Sequence, residues 1–188
     1  MESILKKEVI VNRVILKSLA VVFFVTAISL GAFVRIPLAF TPVPLTLQTF
    51  FVLLSAGLLG LRLGLLVQLT YIFLGVTGVS VFTGISTGLI YFLGPTAGYL
   101  FGFIAATIFI ARFIKYSRGN IYSTMGVFFL ANLLLLLCGV IWLKMSLHLD
   151  WIKSFAIGFI PFLPGDTLKV TLAAFLLLKI KPRIKSIL

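Results

Sequence analysis

The chain is poor in acid. Among 188 residues there are four Asp and Glu, one histidine, His148, and one cysteine, Cys138. A lone cysteine inside a run of leucines can form no internal disulfide and reads as a small buried hydrophobe. His148 lies in "KMSLHLDWIK" with no carboxylate or thiol at metal-ligand spacing, so zinc and nucleophilic chemistry lack their parts, and an interfacial, solvated imidazole is expected. No G-x-x-x-x-G-K-[ST] stretch is present, so ATP is not held by the usual phosphate loop. These absences point away from an enzyme: no catalytic residue, metal or cofactor is expected.

Charge of either sign is also scarce, at 11% of residues, while 61% are hydrophobic and mean hydropathy is +1.25. Soluble domains carry about a quarter charged residues and a little under half apolar ones, so an integral membrane protein is indicated. A bilayer span needs about 20 residues, which makes room for about six. Apolar runs bounded by charge, Pro or Gly place them near 14–34, 45–61, 63–79, 89–113, 121–143 and 164–178. The second and third are separated only by "LRLG", a tight turn between antiparallel helices. No heptad, low-complexity tract or inverted repeat is visible. The expected fold is therefore an all-α membrane bundle of six transmembrane helices, one domain over residues 1–188.

The net charge of +12 would suggest nucleic acid in a soluble protein. Here the cations sit at helix ends, where topology and anionic lipid headgroups explain them, so no nucleic-acid partner is expected. With the N-terminus cytoplasmic, the inner side receives Lys6, Lys7, Arg13, Lys17, Arg62, Arg112, Lys115, Arg118, Lys179, Lys181, Arg183 and Lys185. The outer side receives Arg35, Lys144, Lys153 and Lys169. That 12 to 4 division of the 16 basic residues suits an even number of spans with both termini cytoplasmic. "MESILKKEVIVNRVILK" runs into the first span without an A-x-A cleavage pattern and reads as a retained cytoplasmic end.

The outer side also collects the informative polar stretches. "RIPLAFTPVPLTLQTF" joins spans one and two with Pro37, Pro42 and Pro44, a stiff connection able to fold over a site. "GVSVFTGISTG" follows span three, "GPTAGYL" opens the fourth and "PFLPGDTLKV" opens the sixth. Asp166 supplies acceptors, Lys169 three donors, and Phe40, Phe82, Phe162 and Tyr99 apolar walls for a small amphipathic ligand. The bland alternative is an Asp complementing the helix dipole and pairing locally with Lys169 for a few tenths of a kcal/mol. Gln48, Gln68 and Asn132 are weaker candidates: Gln68 and Asn132 suggest interhelical hydrogen bonds, and Gln48 stands out because it adjoins the proline-rich loop. Small-residue stripes, Gly94, Gly98, Gly102 and Ala106 on the fourth span and Ala20, Ala27 and Gly31 on the first, allow close helix packing, within the chain or against another membrane protein.

Taken together, "RIPLAFTPVPLTLQTFFVLL", "GPTAGYLFGF" and "IPFLPGDTLK" resemble the biotin-specific substrate-binding (S) component, the BioY family, of energy-coupling factor vitamin transporters. The resemblance spans the whole chain. It implies a six-helix bundle in the cell inner (plasma) membrane, a loop lidding a high-affinity biotin site near the outer surface, and docking on a transmembrane scaffold driven by two cytoplasmic ATPases. Carried over by position, Asp166 and Lys169 recognise the ureido ring, with Lys169 serving the charged valerate tail as the alternative, while Thr46, Gln48, Thr83, Gly84 and Tyr99 shape the pocket. The family's Ala-x-x-x-Ala docking motif has Ala27 and Gly31 as its nearest pair, with Ala20 below. Ser80 and Ala97 stand where the family usually has Pro and Gly. The expected function is biotin capture and uptake, with release inward when the bundle tilts on its ATP-driven partner. The rivals are an S component for another vitamin, such as thiamin, and a membrane assembly protein that transports nothing.

Overall fold

The computed structural model describes residues 2–82 and 88–184. Helix α1 (Glu2–Phe33) buries Val21, Phe24, Val25, Ile28 and Ala32, the three- and four-residue spacing of one helical face. Its other face is just as apolar, with Val22, Phe23, Leu30 and Phe33 about 60% exposed. A helix apolar all round, with one face uncovered by protein, is suited to lipid.

After α1 the chain makes a two-residue antiparallel ribbon, β1 (Arg35–Ile36) with β2 (Leu45–Thr46), pairing Arg35 with Thr46 and Ile36 with Leu45. The three prolines lie in the connection between the two strands, where their missing N–H groups interrupt no ladder. Helix α2 (Gln48–Val76) is nominally continuous, but Gly60 has φ 72° and ψ −166°, a conformation essentially confined to glycine. Gln48 Nε2 nevertheless donates to the Tyr71 hydroxyl at 2.5 Å. Along a straight helix those residues would stand about 35 Å apart. The chain therefore doubles back at Gly60, and arms 48–59 and 61–76 run antiparallel. Gln68 Nε2 donating to Ser55 Oγ at 3.2 Å ties the arms together midway.

A short turn, α3 (Leu89–Phe92), precedes α4 (Ala97–Phe113); Gly94 and Pro95 separate the two. A 3₁₀ turn (Ile114–Ser117) and left-handed Arg118 and Gly119 lead to α5 (Ile121–Leu147). Asn120 caps α5, accepting from the backbone N–H of Tyr122 at 2.8 Å and Ser123 at 3.2 Å. His148 ends α5 in the left-handed conformation, exposed, its backbone N–H closing on the Lys144 carbonyl. Asp150 caps α6 (Trp151–Gly158) through the Lys153 N–H at 2.7 Å. A 3₁₀ turn with Pro161 then delivers the chain into α7 (Leu163–Ile184).

Five helical stretches among the described residues are long and apolar enough to cross a membrane, and one of them is the α2 hairpin. The tightest packing joins α4 to α5. A Cβ added to Gly98 would fall 2.6 Å from the Cys138 carbonyl oxygen, and one on Gly102 would fall 2.7 Å from that of Leu135. Trp142 Nε1 donates to the Gly94 carbonyl at 2.9 Å on the same seam, and Ala106 is fully buried. The stripe on this span thus serves contact within the chain. On α1, Ala27 is buried and a Cβ on Gly31 would meet Phe51 and the backbone of Leu47 and Gln48 at 3.1–3.2 Å. Both face inward, Gly31 against the start of α2; only Ala20 of that stripe is part-exposed.

Candidate ligand cavity

At one end of the bundle the loop before α2, the first turns of α2, α4 and α7, and the middle of α5 enclose a cavity. Val43 and Pro44 roof it, Tyr99, Leu100, Phe103, Leu135 and Leu136 form an apolar wall, and Phe162 closes the side. Thr46, Gln48, Thr49, Asp166 and Lys169 form its polar edge. Apolar walls with a few converging polar groups are the ordinary make-up of a small-molecule site.

Asp166 and Lys169 form an ion pair at 2.6 Å, with side chains only 3% and 9% exposed. This is not the solvated local pair that the i, i+3 spacing alone allows. Burying two charges costs several kcal/mol per ion unless further hydrogen bonds hold them, and here they do. The Lys169 ammonium also donates to the Thr46 carbonyl and to Thr49 Oγ1, both at 2.8 Å. The second carboxylate oxygen, Asp166 Oδ2, accepts from Asn132 Nδ2 at 2.9 Å. The pair therefore joins β2, α2, α5 and α7.

Gln48 is held as firmly. Its Oε1 accepts from Thr46 Oγ1 at 3.3 Å, its Nε2 donates to the Tyr71 hydroxyl, and Tyr71 in turn donates to the Val81 carbonyl at 3.0 Å. This chain ties the first loop to the segment after α2. The Tyr99 ring fills a slot left open by Gly139, and its hydroxyl donates to the Gly158 carbonyl at 2.6 Å. The ring faces the cavity while the hydroxyl fastens α4 to the end of α6.

Of the residues named from the sequence, Thr46, Gln48, Tyr99, Asp166 and Lys169 meet in this one cavity. Thr83 and Gly84 lie outside the described residues. Two of the expected aromatic walls are elsewhere. Phe40 is 60% exposed on the loop, pointing away, and Phe82 is buried edge-on against Tyr71 with ring centroids 5.5 Å apart. Sequence reading missed Thr49 and Tyr71 and placed Asn132 only as an interhelical bridge, which it is, between α5 and α7. Each is a polar residue within an apolar run, a signal for a membrane-embedded contact but not for its partner.

A model of the BioY family matches residues 6–186. "Biotin transporter BioY" of Thermotoga maritima is 40% identical over 159 residues, covering 84% of this chain and 91% of that one. "Probable biotin transporter BioY" of Pyrococcus horikoshii is 39% identical over 156 residues, covering 83% and 90%. The crystal structure of the S-component for biotin from an ECF-type ABC transporter superposes with a TM-score of 0.85, at 25% identity, over 91% of this chain and 93% of that one.

Proposed function

Since the chain belongs to the BioY family, we propose that it is the S component of an energy-coupling factor transporter, capturing biotin at the outer membrane face for uptake. It binds and does not catalyse. The observation that carries this reading is the meeting of Thr46, Gln48, Tyr99, Asp166 and Lys169, drawn from positions up to 123 residues apart, around one largely apolar cavity.

The chemistry of biotin suits that cavity. The ureido N–H groups are donors that a buried carboxylate accepts strongly, and Asp166 provides it. The sulfur ring and methylene chain match the wall of Tyr99, Leu100, Phe103, Leu135 and Leu136. The Lys169 ammonium already donates to Thr46 and Thr49 and is ion-paired with Asp166, so its contact with a ligand oxygen would be added to that network. Its larger part is to hold Thr46, Thr49 and Asp166 in register. Thr83 and Gly84 are further biotin-binding residues in this reading.

We place six passes in the plasma membrane: α1, the two arms of α2, α4, α5 and α7, with both ends cytoplasmic and the cavity near the outer surface. ATP-driven movement comes from partners, a transmembrane scaffold and two cytoplasmic ATPases, since the chain carries no phosphate loop of its own. The lipid-facing side of α1 is the docking surface in this scheme, with Ala20 the stripe residue able to take part, because Ala27 and Gly31 are turned inward.

Titration of the purified protein with biotin and a panel of other vitamins, thiamin included, tests the proposal. Biotin should bind most tightly, and Asp166→Asn should weaken it by about ten- to hundredfold, the worth of a hydrogen bond to a charged group. Tighter binding of another vitamin, or an unchanged biotin affinity in Asp166→Asn, overturns it.

A further inference from the structure

We propose that Asn132 is a positioning residue for biotin, fixing the Asp166 carboxylate from beneath the cavity in the orientation that receives the ligand's N–H groups. The inference rests on the biotin reading above. Asn132 lies one helical turn before Leu135 and Leu136, which line the cavity, so it shares their face of α5 but sits one layer deeper, 1% exposed. From there Nδ2 reaches Asp166 Oδ2 at 2.9 Å while the Lys169 ammonium holds Oδ1 at 2.6 Å. A carboxylate gripped at one oxygen can still rotate; gripped at both from different helices, its plane and its remaining lone pairs are fixed.

Two observations separate this role from packing. The donation to Asp166 is the one hydrogen bond of the Asn132 side chain among the described residues, and its own Oδ1 is buried without a partner. A buried acceptor left unmade is costly, and an apolar residue of the same size would avoid it. The amide orientation follows from charge, because a flip would set its oxygen against the carboxylate. Lys169 cannot substitute, since its other hydrogens hold Thr46 and Thr49.

The test uses the full-length protein in detergent, with biotin affinity measured by calorimetry and folding checked by elution profile and melting temperature. Asn132→Leu removes the donor with the volume roughly kept, and Asn132→Ala removes it without filling the space, so that one folded variant suffices. Each should lower biotin affinity about ten- to hundredfold, the range of one charge-assisted hydrogen bond. In the Asp166→Asn background, Asn132→Leu should add less than about twofold, because no carboxylate is left to orient. The preference for biotin over an analogue methylated on the ureido nitrogen should narrow in Asn132→Leu, while the preference over biotin amidated at its valerate should not move. Wild-type affinity in both Asn132 variants with binding lost in Asp166→Asn overturns the positioning role alone, as does full additivity in the double variant. Biotin affinity retained in Asp166→Asn overturns the ligand reading itself, and this inference with it.

Discussion

The Lys169 ammonium donates to Thr46 and Thr49 and is ion-paired with Asp166. This makes the pair asymmetric under mutation. Lys169→Ala leaves a carboxylate that is 3% exposed without its cation, a change that costs roughly 3–5 kcal/mol in buried pairs. The double variant Asp166→Asn/Lys169→Met removes both charges and should recover most of that loss. Thermal unfolding of the three proteins checks this, and a double variant as unstable as Lys169→Ala would contradict it. Tyr99 divides differently: Tyr99→Phe keeps the wall and loses only the bond to the Gly158 carbonyl, so biotin affinity should fall far less than in Tyr99→Ala. Equal losses in a binding titration would mean that the hydroxyl itself meets the ligand. At this scale the Asp166–Lys169 spacing was legible from sequence, because i and i+3 are neighbours on any helix. Thr49, Tyr71 and Asn132 were not legible as partners. Asn132 stands 34 residues from Asp166 and Thr49 stands 120 from Lys169, and such contacts are set by how helices pack.

Between elements, glycine decides how near α4 comes to α5. Gly98 leaves no room for a methyl group beside the Cys138 carbonyl and Trp142, whereas Gly126 on α5 faces nothing within 4 Å. Gly98→Ala should therefore cost about 1–3 kcal/mol of stability through forced separation of the helices. It should also weaken biotin binding, because Tyr99 and Leu100 ride on the same turn of α4. Gly126→Ala should be neutral or stabilising by up to about 1 kcal/mol, since alanine suits a helix interior better. Melting temperatures with parallel titrations distinguish them, and equal effects would refute the packing account. The glycine spacing was readable in advance; its destination within the chain was not, because a small-residue stripe is equally compatible with an outside partner. The same holds for Ala27 and Gly31, whose inward orientation only packing against α2 reveals. The tight turn between spans two and three was anticipated at "LRLG", and the structure turns just before it, at Gly60, where φ is positive.

Over the whole molecule, the division of charge argues for sidedness. Arg62 lies just past the α2 turn and Arg118 in the α4–α5 connection, both exposed, at the bundle end away from the cavity. Phe40, in the loop over the cavity, and Lys153, on α6, belong to the opposite end. If positive residues are retained inside, Arg62 and Arg118 are cytoplasmic and the cavity opens outward. The single native cysteine makes this simple to test. In a Cys138→Ser background, Phe40→Cys and Lys153→Cys should react with a membrane-impermeant maleimide on intact cells. Arg62→Cys and Arg118→Cys should react only in inverted vesicles. Arg62→Cys labelled from the same side as Phe40→Cys would mean that the first arm of α2 does not cross the membrane, and the six-pass arrangement would fall. The opposite sidedness for all four would keep six passes but turn the cavity toward the cytoplasm, which is incompatible with capture from outside.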